Sequence, residues 1–277
     1  MLPVRRDLRF KLPAERICDW HAAGPHISLF MNTLSIFFPA GERFFIQSVR
    51  RYRDRIQDPE LLKAVTGFIG QEAMHTREHE EYNEALFQAV PQAAAMERSV
   101  ARLLAFLQKH EPAAMQLSAT IALEHFTAIM ADGLLRDGGI LKGAEPHYAA
   151  LWNWHALEET EHKAVAYDVW RTVMGRGPAA YLMRAGGLIG ASIILWSLVT
   201  VFYLRILAAQ KQLGNVAGWR QFFRHGFTRP GFLRKLFLPW LDYFRPGFHP
   251  WDHDNSAFLE RVQPLEQRYA ATQVKAA

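Results

Sequence analysis

The chain has 277 residues, half of them hydrophobic and 21% charged, with a single cysteine, Cys18; that suits one large domain or a domain with an extension and excludes a disulfide framework or a thiolate metal cluster. A net charge of +5 and a pI near 9.4 leave an excess of basic groups, much of it between Arg205 and Arg245, but no nucleic-acid motif accompanies it and no nucleic-acid partner is expected. Met1 to Glu15 carry Arg5, Arg6, Arg9 and Lys11 without the apolar stretch of a signal peptide, so a cytoplasmic location is expected.

Alternating strand patterns are scarce and helix-period patterns fill most of the chain, which predicts an all-α protein. A first helical segment over about 27–56 must kink or restart at Pro39-Ala40-Gly41, placing Glu42 in the first turn after the break. Asp58-Pro59 reads as an N-cap and first helical position, opening a helix that runs to about Val90 and carries Glu72, His75 and His79. A shorter helix over Met96 to His110 precedes one started by Pro112, which passes Glu124 and stops at Asp137-Gly138-Gly139. Pro146 opens a long helix through His155, Glu159 and His162 to about Gly175. After Pro178 the composition changes. Ala185 to Leu204 is uncharged and would measure about 30 Å as a helix, one bilayer core, and the rest is dense in aromatics, Pro and Arg. Residues 1–176 therefore read as an N-terminal segment with the helical bundle that carries these glutamates and histidines, and 177–277 as an apolar helix with an aromatic and basic extension.

The chemistry rests on spacing. A four-helix bundle builds a dimetal site from one Glu on each of two helices and a Glu-x-x-His pair on each of the other two. Residues three apart share a helix face, so each pair offers an oxygen and a nitrogen to one small volume. Here the order is Glu42, Glu72-Ala-Met-His75, Glu124, Glu159-Thr-Glu-His162, and both members of the second pair lie 87 residues after those of the first. Glu124 sits among apolar neighbours, where an unpaired carboxylate is costly and a cation is the economical partner. Glu158, beside Glu159, is an alternative ligand or a free carboxylate that serves as a base. His79 and His155, one turn from the pairs, are extra ligands or groups that orient a carboxylate. His125 points away from Glu124 and reads as a core histidine. Glu78, Glu80, Glu81 and Glu84 read as a solvated charged run, and His249, Asp252, His253 and Asp254 as a polar loop rather than a second metal site.

At FFPAGERFFI, FIGQEAMHTREHEEYN, LEHFTA, WHALEETEHKAVAYDVW and YFRPGFHPWD the sequence resembles the ferritin-like superfamily, and more closely a bacterial family of predicted metal-dependent hydrolases. The resemblance implies a ferritin-like four-helix bundle with a C-terminal helical extension, gives Glu42, Glu72, His75, Glu124, Glu159 and His162 the ligand roles, and makes Glu72 and Glu159 the bridges. The family label implies hydrolysis by a metal-bridged water; the superfamily relation implies redox chemistry. Four carboxylates and two imidazoles suit two iron ions, with manganese or zinc as alternatives. Oxygen-dependent oxidation of an apolar or lipid-like substrate is the expected activity, dimetal hydrolysis the alternative, and a non-catalytic metal-binding or scaffold protein the third reading. Membrane contact through 185–204, at the inner face, and packing of the same segment within the protein are equally weighted. Basic residues at both ends argue against a single crossing, and Gly186, Gly190 and Ala191 would allow close helix packing, including in a homodimer.

Overall fold

In the computed structural model, which describes residues 1–270, the chain is helical with no strand among the described residues. Proline sets several of the starts, because its missing N–H costs nothing in a first turn. Helix α1 spans Pro25–Ser35 and α2 spans Phe38–Arg50. The break falls at Ile36-Phe37, so that Pro39 is the second residue of α2 and Glu42 follows one turn in. Helix α3, Pro59–Ala89, starts as predicted, with the Asp58 side chain accepting from the Glu60 N–H. Then come α4 (Ala93–His110) and α5 (Ala113–Arg136).

The helix expected from Pro146 to Gly175 is divided into α6, Pro146–His162, and α7, Val165–Met174. At the joint, Lys163 is buried: its ammonium donates to the His253 carbonyl and the Asn255 side chain and lies 4.0 Å from the centre of the Trp251 ring. Those partners are about ninety residues away in sequence, which is why no local pattern marks the division.

Helices α2, α3, α6 and α5 form a closed ring of contacts: α2 on α3, α3 on α6, α6 on α5, α5 on α2. This ring holds the site. The apolar helix is longer than expected, Pro178–Ala209, and as α8 it packs on α5 and α1. Gly187 makes that approach possible, because a Cβ there would stand 2.2 Å from Ser118 Oγ. At Gly186 and Gly190 a Cβ would meet no atom within 4 Å, so these two glycines are not what brings α8 onto α5. Short helices α9 (Val216–Phe223), α10 (Phe237–Asp242) and α11 (Val262–Tyr269) follow. Both hydrophobic cores draw on residues before and after 177. Residues 1–24 form a mostly non-helical arm laid across α3 and α6, where the Phe10 N–H donates to Glu78 and Leu8 pairs with Ala270. That arm corrects one expectation: Glu80, Glu81 and Glu84 are exposed, but Glu78 lies beneath the arm, only 2% exposed and paired with Arg77.

Candidate metal centre

Inside the ring, Glu42 from α2, Glu72 and His75 from α3, Glu124 from α5, and Glu159 and His162 from α6 come together, all buried. The nearest contacts converge on one imidazole nitrogen. His162 Nε2 lies 3.1 Å from Glu72, 3.5 Å from Glu159 and 3.7 Å from Glu124. On the other side, His75 Nδ1 stands 3.9 Å from Glu159, and Glu42, Glu72 and His75 can offer ligand atoms within 4.8 Å of one another. Yet both oxygens of Glu42, Glu72 and Glu124, Nδ1 of His75 and Nε2 of His162 are buried with no hydrogen-bond partner among the described residues. Buried polar atoms are normally paired, and an unpaired carboxylate costs several kcal/mol. Atoms that converge without bonding one another are the donor set that cations satisfy.

The electrostatics agree. Burial, with repulsion from Glu72, drives Glu42 and Glu124 well above the usual carboxylate range, and burial raises Glu72 as well. Burial would also raise Glu159, but the His162 and His155 rings outweigh it and hold that carboxyl well below its ordinary value. Burial would lower His162, but Glu159 and Glu72 hold it well above. Burial takes His75 and His79 well below.

The family model described as predicted metal-dependent hydrolase matches residues 4–254. The chain belongs to this family. Membership and the buried glutamate–histidine groups together support a metal-dependent enzyme. No curated protein and no solved structure matches the chain. The family match begins at Val4 and so takes in the arm, which reaches the centre from behind.

That reach is what the sequence did not reveal. His75 turns Nε2 to Glu158 (3.1 Å), and His162 turns Nδ1 to the Gln71 carbonyl oxygen (3.0 Å). Gln71 in turn donates to Glu161. Both carboxylates end on one guanidinium, Arg6, which donates to Glu158 (3.1 Å) and to both oxygens of Glu161 (2.7 and 3.1 Å). Each ring thus has one nitrogen held from outside and the other turned inward, the usual way a protein aims an imidazole at a metal. Glu158 is therefore not the free carboxylate expected of a base. Burial pushes it up to about 8 although Arg6 pulls the other way, and its two oxygens are committed to Arg6 and His75.

His155 donates to or accepts from two sides, with Nε2 3.0 Å from Glu159 and Nδ1 2.8 Å from His79 Nε2. His79 closes the chain on the Ser35 hydroxyl. These two rings thus support a carboxylate, and with Glu42 they form a further group of converging ligand atoms. His125 faces away, 3.1 Å from the Pro239 carbonyl and against Tyr243. The late polar residues do not converge: His249 pairs with Asp168, His253 with Asp242, and Asp252 with Arg245.

An apolar cavity of about 310 Å³ adjoins the centre between α2, α4, α5 and α8. Glu42 and Thr127 are its polar groups on the metal side, and the Thr127 hydroxyl donates to Glu159. Elsewhere the wall is largely Leu, Phe and Met, with Trp196 from α8.

Proposed function

We propose that Glu42, Glu72, His75, Glu124, Glu159 and His162 hold two metal ions, in the manner of ferritin-like dimetal carboxylate proteins, and that the protein oxidises an apolar, lipid-like substrate. The observation that carries this reading is the set of inward-facing, unpartnered ligand atoms bordering an apolar cavity. Four carboxylates neutralise two divalent cations, and a donor set this rich in hard oxygen favours iron, then manganese, over zinc. Such a pair of ions supplies either reduction of dioxygen, which also needs a two-electron donor, or a bridging water of lowered pKa.

What the chain itself does is clearer in detail. Glu158 and Gln71 fix the two imidazoles, His155 and Thr127 fix Glu159, and Phe38 covers His79 and His155 with its ring centre 4.5 Å from each. On the cavity side, apolar walls exclude water from the substrate, which favours oxidation of a C–H bond over attack by water. Hydrolysis is the second reading, favoured by the family description. Protein that takes up Fe(II) and then consumes oxygen fits the first; ester turnover with Mn or Zn under nitrogen fits the second.

Elemental analysis of freshly isolated protein tests the centre directly. About two metal ions per chain are expected, with a clear loss in Glu124→Ala; unchanged stoichiometry in that variant removes Glu124 from the site.

We further infer that α8 rests on the inner face of a membrane without crossing it. Its 32 residues are long and apolar enough to span, but one side packs on α5 and α1, so a crossing would take Glu124, Asp132 and Arg136 of α5, and the carboxylate-rich centre behind them, into hydrocarbon. Leu182, Ile189, Ile193, Val201 and Leu204 stand exposed on the other side, and ten lysines and arginines with no aspartate or glutamate lie between Asp168 and Asp242. Anionic lipid is the surface that matches this charge.

A further inference from the structure

The apolar cavity has a polar group at the end away from Glu42 that the metal centre does not use. Gln116, at the start of α5 and 2% exposed, donates from Nε2 to the carbonyls of Gln108 (3.1 Å) and Glu111 (2.8 Å). Two acceptors on one side fix which amide atom is which, and Oε1 is left buried with no donor among the described residues. The surface is close by, since Glu111 and Met115 at the same end are exposed. From Gln116 to Thr127 the α5 backbone rises about 16 Å at ~1.5 Å per residue. No lysine, arginine or histidine lines the space between.

We propose that the cavity binds one unbranched alkyl chain of roughly a dozen carbons, since zigzag C–C bonds of ~1.5 Å advance an extended chain by about 1.3 Å per carbon over that rise, with an uncharged hydroxyl or amide at one end. The head group donates its proton to Gln116 Oε1, and the far end of the chain lies beside Glu42 and Thr127. A carboxylate head is disfavoured twice: it brings an acceptor to an acceptor, and it places a charge next to Glu111 with no cation on the wall to answer it. That the far end is the reacting end rests on the metal reading above; the binding itself does not.

The test titrates the full chain, its metal content measured on the same sample, with 1-dodecanol, dodecyl methyl ether and dodecanoate, and follows binding by calorimetry. One dodecanol per chain is expected, the ether about fivefold weaker for want of a donor, and dodecanoate at least about tenfold weaker. Gln116→Leu should bring dodecanol to the level of the ether. Gly190→Leu, where the new side chain starts in open space on the cavity wall, should abolish dodecanol binding with metal content unchanged. Dodecanoate binding as tightly as dodecanol, or dodecanol binding undiminished in Gly190→Leu, overturns the proposal. Protein that binds dodecanol but holds no metal would count against the dimetal centre alone, and protein that holds metal but binds no chain would sink the cavity proposal alone.

Discussion

At the scale of single residues, Arg6 carries more than its place in the sequence suggests. Its guanidinium ends the two hydrogen-bonded paths that orient His75 and His162, and its Nε also lies 2.8 Å from Glu266. Partners one step behind a ligand, here Glu158 and Gln71, are worth about 10–100-fold in metal affinity, and Arg6 holds both in place, Gln71 through Glu161. Arg6→Ala should therefore lower metal affinity by about that factor while the helical circular dichroism stays unchanged; equal metal retention under a chelator series would show that the rings are held without it. The six inward-facing residues were legible because helix periodicity ties i and i+3 to one face, and two such pairs in register are hard to produce by chance. Arg6, Gln71 and Glu161 were not, because their pairing joins an irregular arm to helices more than sixty residues away, and no period links them. Glu78 was misread for the same reason: a run of acidic residues looks solvated until something else in the chain lies across it.

Among the elements, the limits of α3 were readable from Asp58-Pro59 and Pro91, since a cap and a proline act locally. The division between α6 and α7 was not, because it is settled by what Lys163 meets in the last quarter of the chain. Helix α8 shows both sides. Its apolar character was plain, but the choice between core and membrane depended on how many faces it buries, and the structure leaves one open. If that face meets lipid, the protein should float with vesicles containing anionic lipid and stay behind with neutral ones. Each exposed basic residue near such a surface is worth about 1 kcal/mol, so Arg220→Glu with Arg224→Glu should weaken binding at least about tenfold. Equal recovery on neutral vesicles would mean that charge plays no part.

For the whole molecule, the buried site links stability to protons. Folded Glu42, Glu72 and Glu124 keep their protons above the pH at which the unfolded carboxylates have lost theirs, Glu158 does so up to about 8, and His162 is likewise raised. Above pH 7 the metal-free folded state thus binds more protons than the unfolded one, and stability must fall as pH rises. Depressed Glu159 is deprotonated there in both states and adds no slope, whereas unfolded His75 and His79 still hold a fraction of a proton near pH 7, a small opposing slope that fades as pH rises toward 8. Chelated protein should lose melting temperature between pH 7 and 9, and metal-loaded protein much less, because cations replace the protons; a rise or a flat profile after chelation would contradict the assignment. The same geometry also ties the centre to the arm. Arg6 hangs on a stretch with almost no helix of its own, tied down by Leu8 against Ala270 and by the Arg9 N–H on the Tyr269 carbonyl. Fraying there would loosen both imidazoles together while every helix stayed intact, so the hold on the two rings depends on the pairing of the arm with residues 269–270.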